Sequence, residues 1–214
     1  MPAPGKGDRY HHGDLRAALI DTAAVLIAER GVRGFSLAEA SRRLGVAVSA
    51  PYAHFADRDD LLAAVAVHAF ELFRDALVPE MDRFREPADR LVAMARAYVR
   101  FAATSRPIFE VLYESGIDKT RHPEIEAAEE PLDQAFLDCV RALADGDEHL
   151  ASELAEAVEA TAHGHAMLLL DSGPGQDAEA VELAAERTAR AVRALIESRR
   201  LLGRPADPGV PEPG

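Results

Sequence analysis

Tyr52 and His54 stand two residues apart on a short predicted helix, and Arg58 opens the next one. A phenol, an imidazole and a guanidinium gathered at one turn can each donate a hydrogen bond to a phosphate oxygen. Each also has an ordinary reading: Tyr52 as a half-buried tyrosine, His54 as a surface cap, Arg58 as the partner of Asp14 or Asp59. Ala47, Val48, Ser49, Ala50 and Pro51 form the exposed start of the same short helix. They bring few base-edge donors, so direct readout there would rest on methyl contacts and Ser49. Arg42 and Arg43 are either a solvated pair or a route to a nucleic-acid backbone. With so few donors, sequence readout would lean on shape, on these arginines and on the arm around Lys6 and Arg9.

Other chemistry is poorly supplied. His163 and His165 share a predicted helix, but a separation of two turns their side chains about 200° apart, so they cannot clasp one ion. His11 and His12 fail for a similar reason. The single cysteine, Cys139, excludes an intrachain disulfide and a Cys-rich zinc site. There is no Gly-x-Ser-x-Gly, no His-Glu-x-x-His, and no Gly-rich loop followed by Lys-Ser/Thr. No metal and no cofactor are expected. A helical enzyme or small-molecule-binding protein with an incidental helix pair is the rival reading, with His163, His165 and Cys139 as its candidates.

The elements that must position the first group lie in Phe35–Leu62, FSLAEASRRLGVAVSAPYAHFADRDDLL. Ser36-Leu37-Ala38-Glu39 reads as a capping box, in which the cap and the residue three on satisfy each other's orphan N–H groups. That helix stops at Leu44 because Gly45 follows, and a third short helix is predicted over about 48–55. Two short helices joined by a glycine turn have the layout of a helix-turn-helix, whose second helix enters the major groove. A first helix over 14–30 presents Leu15, Leu19, Thr22 and Leu26 as one stripe, with Gly31 at its end. Apolar spacing is 3 and 4 throughout and no period-2 run is long enough for a strand, so the fold class is all-α. Further helices are predicted at 57–77 (before Pro79), 87–104, 106–114, 123–144, 148–170 and 177–202, nine in all.

The 214 residues leave room for one large domain or two small ones. The net charge of −13 argues against nucleic acid only until it is divided. Residues 1–62 hold eight Lys/Arg and eight Asp/Glu, so the whole excess of acid lies after Leu62. A neutral head with clustered arginines and histidines remains compatible with DNA, and an acidic body would repel phosphate and orient docking. No apolar run approaches the ~18 residues of a membrane span, and the N-terminus lacks a secretory apolar core. The expected compartment is the cytoplasm, with no membrane partner.

Tyr52-Ala53-His54-Phe55-Ala56-Asp57-Arg58-Asp59-Asp60-Leu61-Leu62 resembles the signature that ends the DNA-binding domain of the TetR (tetracycline-repressor-like) family. Tyr10-His11-His12-Gly13-Asp14-Leu15-Arg16 resembles a common opening of that family's first helix. The resemblance is close over about residues 10–65. Ala47 stands where Ser or Thr is usual and Val48 where a polar or basic residue is common, so a capping hydroxyl is missing. Pro and Gly enrichment predicts a flexible arm over 1–10 and a flexible tail over 203–214; the resemblance implies a helix-turn-helix DNA-binding domain over 11–62 and a helical ligand-binding and dimerisation domain over 63–202. It implies a homodimer on a palindromic double-stranded DNA operator, released by a small-molecule inducer of unknown identity. The apolar set Met94, Tyr98, Phe101, Phe109, Tyr113, Phe136, His163 and Met167 would line the inducer cavity; by spacing alone it reads equally as core. Pro107–Tyr113 and Ala162-His163-Gly164-His165 resemble elements of one branch, whose Trp-His-Gly lacks its Trp here. Two stripes, Leu150, Leu154, Val158, Thr161, Leu168 and Val181, Ala185, Thr188, Val192, Leu195, Ile196, would either join two subunits or pack on their own.

Overall fold

A computed structural model describes residues 12–114, 117–173 and 177–202. The N-terminal arm with Lys6, Arg9 and His11, and the tail after Leu202, lie outside the described residues. Among the described residues the structure is helical and has no strand. Eight α-helices follow in order: α1 (His12–Arg30), α2 (Leu37–Leu44), α3 (Arg58–Met81), α4 (Pro87–Thr104), α5 (Arg106–Glu114), α6 (Pro123–Leu143), α7 (Glu148–Asp171) and α8 (Ala178–Glu197). Short 3-10 turns occupy Val32–Gly34, Ala50–Ala53 and Arg199–Leu201.

The chain forms two compact units. The first takes residues up to Leu72 together with Arg106–Glu129; the second takes Phe73–Ser105 and the chain from Glu130 onward. Neither boundary falls at residue 62, because α3 runs on without a break and gives its residues to both.

In the first unit α1 packs against α2 and α5. Leu19, Leu26 and Ile27 of α1 meet Leu37 and Ala40 of α2, Phe55, Leu61 and Val65, with Val111 and Ile125 closing the cluster. These positions recur at three and four, the helical spacing that buries one face. In the second unit α4 packs between α7 and α8. Its core gathers Leu91, Val92, Val140, Leu154, Val158, Val192 and Ile196, with Cys139 buried among them.

The predicted end of α3 before Pro79 is corrected. The helix continues to Met81 with Pro79 inside it. Leu77 and Met81, both fully buried, flank the proline and hold that turn in place despite its missing N–H. Of the two readings left open for the C-terminal stripes, packing within the unit holds for Leu154, Val158, Ala185, Thr188, Val192 and Ile196, which are buried, whereas Leu168 is 68% exposed.

Candidate nucleic-acid interface

Ser36 accepts a hydrogen bond from the Glu39 N–H at 3.2 Å and so starts α2. The carboxylate of Glu39 does not complete a box; it takes Arg42 at 2.5 Å and Arg30 at 3.5 Å. Ser41, fully buried, returns its hydroxyl to the Leu37 carbonyl. The end of α2 is set by Gly45 at φ 70°, whose N–H binds the Arg42 carbonyl while the Val46 N–H binds that of Ser41. This is the Schellman pattern, and its left-handed residue is the reason a glycine stands there.

The segment after the turn is not the short α-helix predicted over 48–55. It is a 3-10 turn over Ala50–Ala53. Pro51 has no N–H to send to the Ala47 carbonyl, so that carbonyl takes the Ala50 N–H instead, at 2.9 Å. Only at the end does an α-type bond form, from Phe55 N–H to the Pro51 carbonyl. Asp57 then accepts from Asp60 N–H at 2.9 Å, and Asp60 accepts from Ala56 N–H at 2.8 Å, starting α3. The bond from Asp60 N–H, above all, holds the Asp57 carboxyl below the ordinary carboxylate range.

The resulting surface separates the expected residues. Val48 (52%) and Tyr52 (60%) are the most outward, and Ala47 and Ser49 are exposed beside them. Ala50 is half-buried, and Pro51 is buried beneath the turn. His54 lines a hollow of about 340 Å³ with Arg16, Phe55, Asp60, His68 and Glu71. Arg42 and Arg43 are exposed, yet each holds a carboxylate: Arg42 that of Glu39, Arg43 both oxygens of Glu29 at 2.8 and 3.0 Å. Arg58 turns inward. Its guanidinium binds the carbonyls of Val32 and Phe35 and the Asp59 carboxylate, and lies 4.7 Å over the Phe35 ring.

The set expected to line an inducer cavity falls in both units. Phe109 and Tyr113 belong to the first, with ring centroids 5.0 Å apart. Met94, Tyr98, Phe101, Phe136, His163 and Met167 belong to the second. There the Tyr98 hydroxyl shares a 2.9 Å hydrogen bond with Nδ1 of His163. Phe73, which the sequence reading passed over, joins Tyr98 at 5.3 Å and Phe101 at 5.0 Å. His165 goes elsewhere: its Nδ1 meets the Thr188 hydroxyl at 2.8 Å. That hydroxyl also lies 2.8 Å from the Ala184 carbonyl. Among the described residues no three His, Cys, Asp or Glu side chains gather as a metal site. No described helix is long and apolar enough to cross a membrane.

Two family profiles match this chain. Residues 19–65 match the family described as bacterial regulatory proteins, tetR family, and residues 91–198 match the tetracyclin repressor-like C-terminal domain. The chain is similar to the HTH-type transcriptional regulator Rv1816 of Mycobacterium tuberculosis, 28% identical over 150 residues. That match takes in 66% of this chain and spans 62% of the relative's length. A solved structure of a protein of unknown function from Rhodococcus sp. RHA1 is 31% identical, covering 86% of this chain and 98% of that one, with a TM-score of 0.63. The crystal structure of AibR in complex with isovaleryl coenzyme A and operator DNA is 18% identical, covering 81% of this chain and 95% of that one, with a TM-score of 0.65.

Proposed function

Because the chain belongs to the tetR family of bacterial regulatory proteins, we propose that it is a ligand-responsive repressor, working in the cytoplasm as a homodimer on a palindromic operator. The observation that carries this reading is the outward face after Gly45: Val48, Ser49 and Tyr52 stand exposed on a helix-turn-helix whose other side is fully packed. Ala47, Val48, Ser49 and Ala50 face the bases, with Tyr52, His54, Arg42 and Arg43 at the backbone. Methyl groups and one hydroxyl give a reader that favours thymine methyls and groove shape over hydrogen-bond codes.

The dimer face follows from what the second unit leaves uncovered. Ala160, Gly164 and Leu168 follow one another at intervals of four along α7, and a methyl placed on Gly164 would meet nothing within 4 Å. Leu183 of α8 is 48% exposed. Small residues let helices approach closely, and a second copy of the same pair completes a four-helix bundle about a two-fold axis.

The inducer enters the C-terminal domain. Its lining there is Met94, Tyr98, Phe101, Phe136, His163 and Met167. An apolar wall with one tyrosine–histidine pair suits a mostly hydrophobic molecule bearing one polar group. The likeness of Ala162-His163-Gly164-His165 to the Trp-His-Gly element supports membership of that branch, without its Trp. The inducer acts only through its unequal affinity for the DNA-bound and released conformers. Relatives that are regulators, one of them solved with operator DNA, support this reading.

Selection of bound duplexes from a random library, at low and moderate salt, tests it. An enriched inverted repeat is expected, with affinity falling steeply as salt rises. No enrichment by folded protein stripped of ligand by unfolding and refolding would overturn the proposal.

A further inference from the structure

We propose that Arg58 is a positioning residue of the DNA-binding surface and not a ligand of phosphate; the inference rests on the DNA-binding reading above. Its guanidinium joins the two ends of the segment that carries Val48, Ser49 and Tyr52. On one side it donates through Nε to the Phe35 carbonyl at 3.3 Å and through Nη2 to the Val32 carbonyl, both in the chain just before α2. On the other side Arg58 is itself the first residue of α3, and its guanidinium also holds the neighbouring Asp59 at 3.1 Å.

The guanidinium carbon sits 4.7 Å from the ring centroid of Phe35, a core residue that is 3% exposed. Beyond it is a hollow of about 200 Å³ lined by Leu62, Ile117, Asp118, Arg121 and His122. The side chain therefore works between the loop before α2 and the start of α3. These bonds engage Nε and one N–H on each terminal nitrogen, so the loop before α2 and the start of α3 together fix where the fork points. The shape of the group matters more than its charge: a planar fork with several fixed donors can bind two carbonyls and a carboxylate while stacking, and an ammonium cannot.

That difference gives the test. Arg58→Lys and Arg58→Ala are compared with the wild-type protein on a labelled duplex carrying the selected inverted repeat and on a random-sequence duplex. Binding is measured at 15 °C, where circular dichroism shows each protein folded, so that a purely stabilising role leaves affinity unchanged. Both variants are expected to lose about tenfold or more on the selected duplex, Lys as much as Ala. Neither substitution removes a phosphate contact under this proposal, so both variants keep the salt slope at the wild-type value. Wild-type affinity in Arg58→Lys with loss only in Arg58→Ala would identify a phosphate contact and overturn the proposal; so would wild-type affinity in both.

A measurement on the unaltered protein stands beside the variants. The Nε–H resonance of Arg58 is expected to be protected from exchange and to stay in place when the selected duplex is added. A shift or a loss of protection would overturn the positioning role. Failure of the wild-type protein to bind any duplex would overturn the DNA-binding reading itself, and the role of Arg58 with it.

Discussion

Arg42 and Arg43 reach solvent, but neither does so alone. Glu39 sits between Arg30 and Arg42, and Glu29 holds Arg43 with both oxygens. These carboxylates compete with any phosphate that approaches. Exposed pairs of this kind contribute about 0–1 kcal/mol each, which a DNA phosphate can outbid. The double substitution Glu29→Gln, Glu39→Gln is therefore expected to tighten binding to all duplexes by about tenfold while leaving sequence preference unchanged. Its salt dependence should also steepen by up to about two ions. Weaker or unchanged affinity in a filter or fluorescence titration would show that the arginines take no part. The spacing of Glu39 and Arg42 made their pairing legible, since residues three apart on a helix are neighbours. Glu29 and Arg43 are fourteen positions apart, and only the packing of α1 on α2 brings them together. The inward turn of Arg58 was equally hidden, because its partners are backbone carbonyls, which every residue has.

At the scale of elements, the turn at Gly45 and the ladder between α4 and α8 each make a prediction. Gly45→Ala places a Cβ at φ 70°. Nothing crowds it, so the penalty is conformational, about 1 kcal/mol or somewhat more, read as a lower midpoint in urea. The ladder joins Asp89 to Arg193, Arg96 to Glu186 and Arg100 to Glu182, all in one antiparallel register. Arg100 holds the Glu182 carboxyl, and Arg96 that of Glu186, below the ordinary range. A carboxyl lowered on folding stabilises above its unfolded value, and that contribution fades as pH falls through the folded one. Thermal stability should accordingly drop below about pH 4, and Glu182→Gln with Glu186→Gln should flatten that limb. An acid limb as steep as wild type would assign it to other groups, such as Asp57. Helix positions were readable because the apolar period and the breaks agreed. The 3-10 turn was not, since the absence of one N–H at Pro51 matters only in a segment too short to absorb it. The run of α3 through Pro79 was hidden too, because burial of Leu77 and Met81 overrides a local preference.

For the whole molecule, the charge division and the dimer belong together. The neutral head and the acid beyond residue 62 give a protein that repels DNA except where the head leads. In the proposed homodimer, a pair of heads on one duplex would gain by effective concentration what each donor-poor reader lacks. Leu168→Glu with Leu183→Glu is expected to lower the dimer fraction at micromolar concentration by sedimentation, and operator affinity with it. A dimer unchanged by both would move the interface off this face. The stripes expected on α7 and α8 are mostly covered within their own unit, and the proposed interface uses other faces of the same two helices. Helical periodicity names an apolar stripe without saying whether a neighbour in the same chain already covers it.

The sole thiol of the chain, Cys139, is 4% exposed in the core of the second unit. A thiol reagent therefore cannot modify the protein until the surrounding helices part. The rate of that modification counts openings of this unit and no other, in the manner of exchange from a buried amide. Any molecule that settles among α4, α7 and α8 should slow the reaction in proportion to its occupancy. The cysteine is thus a stopwatch for screening inducers that requires neither an operator nor a label.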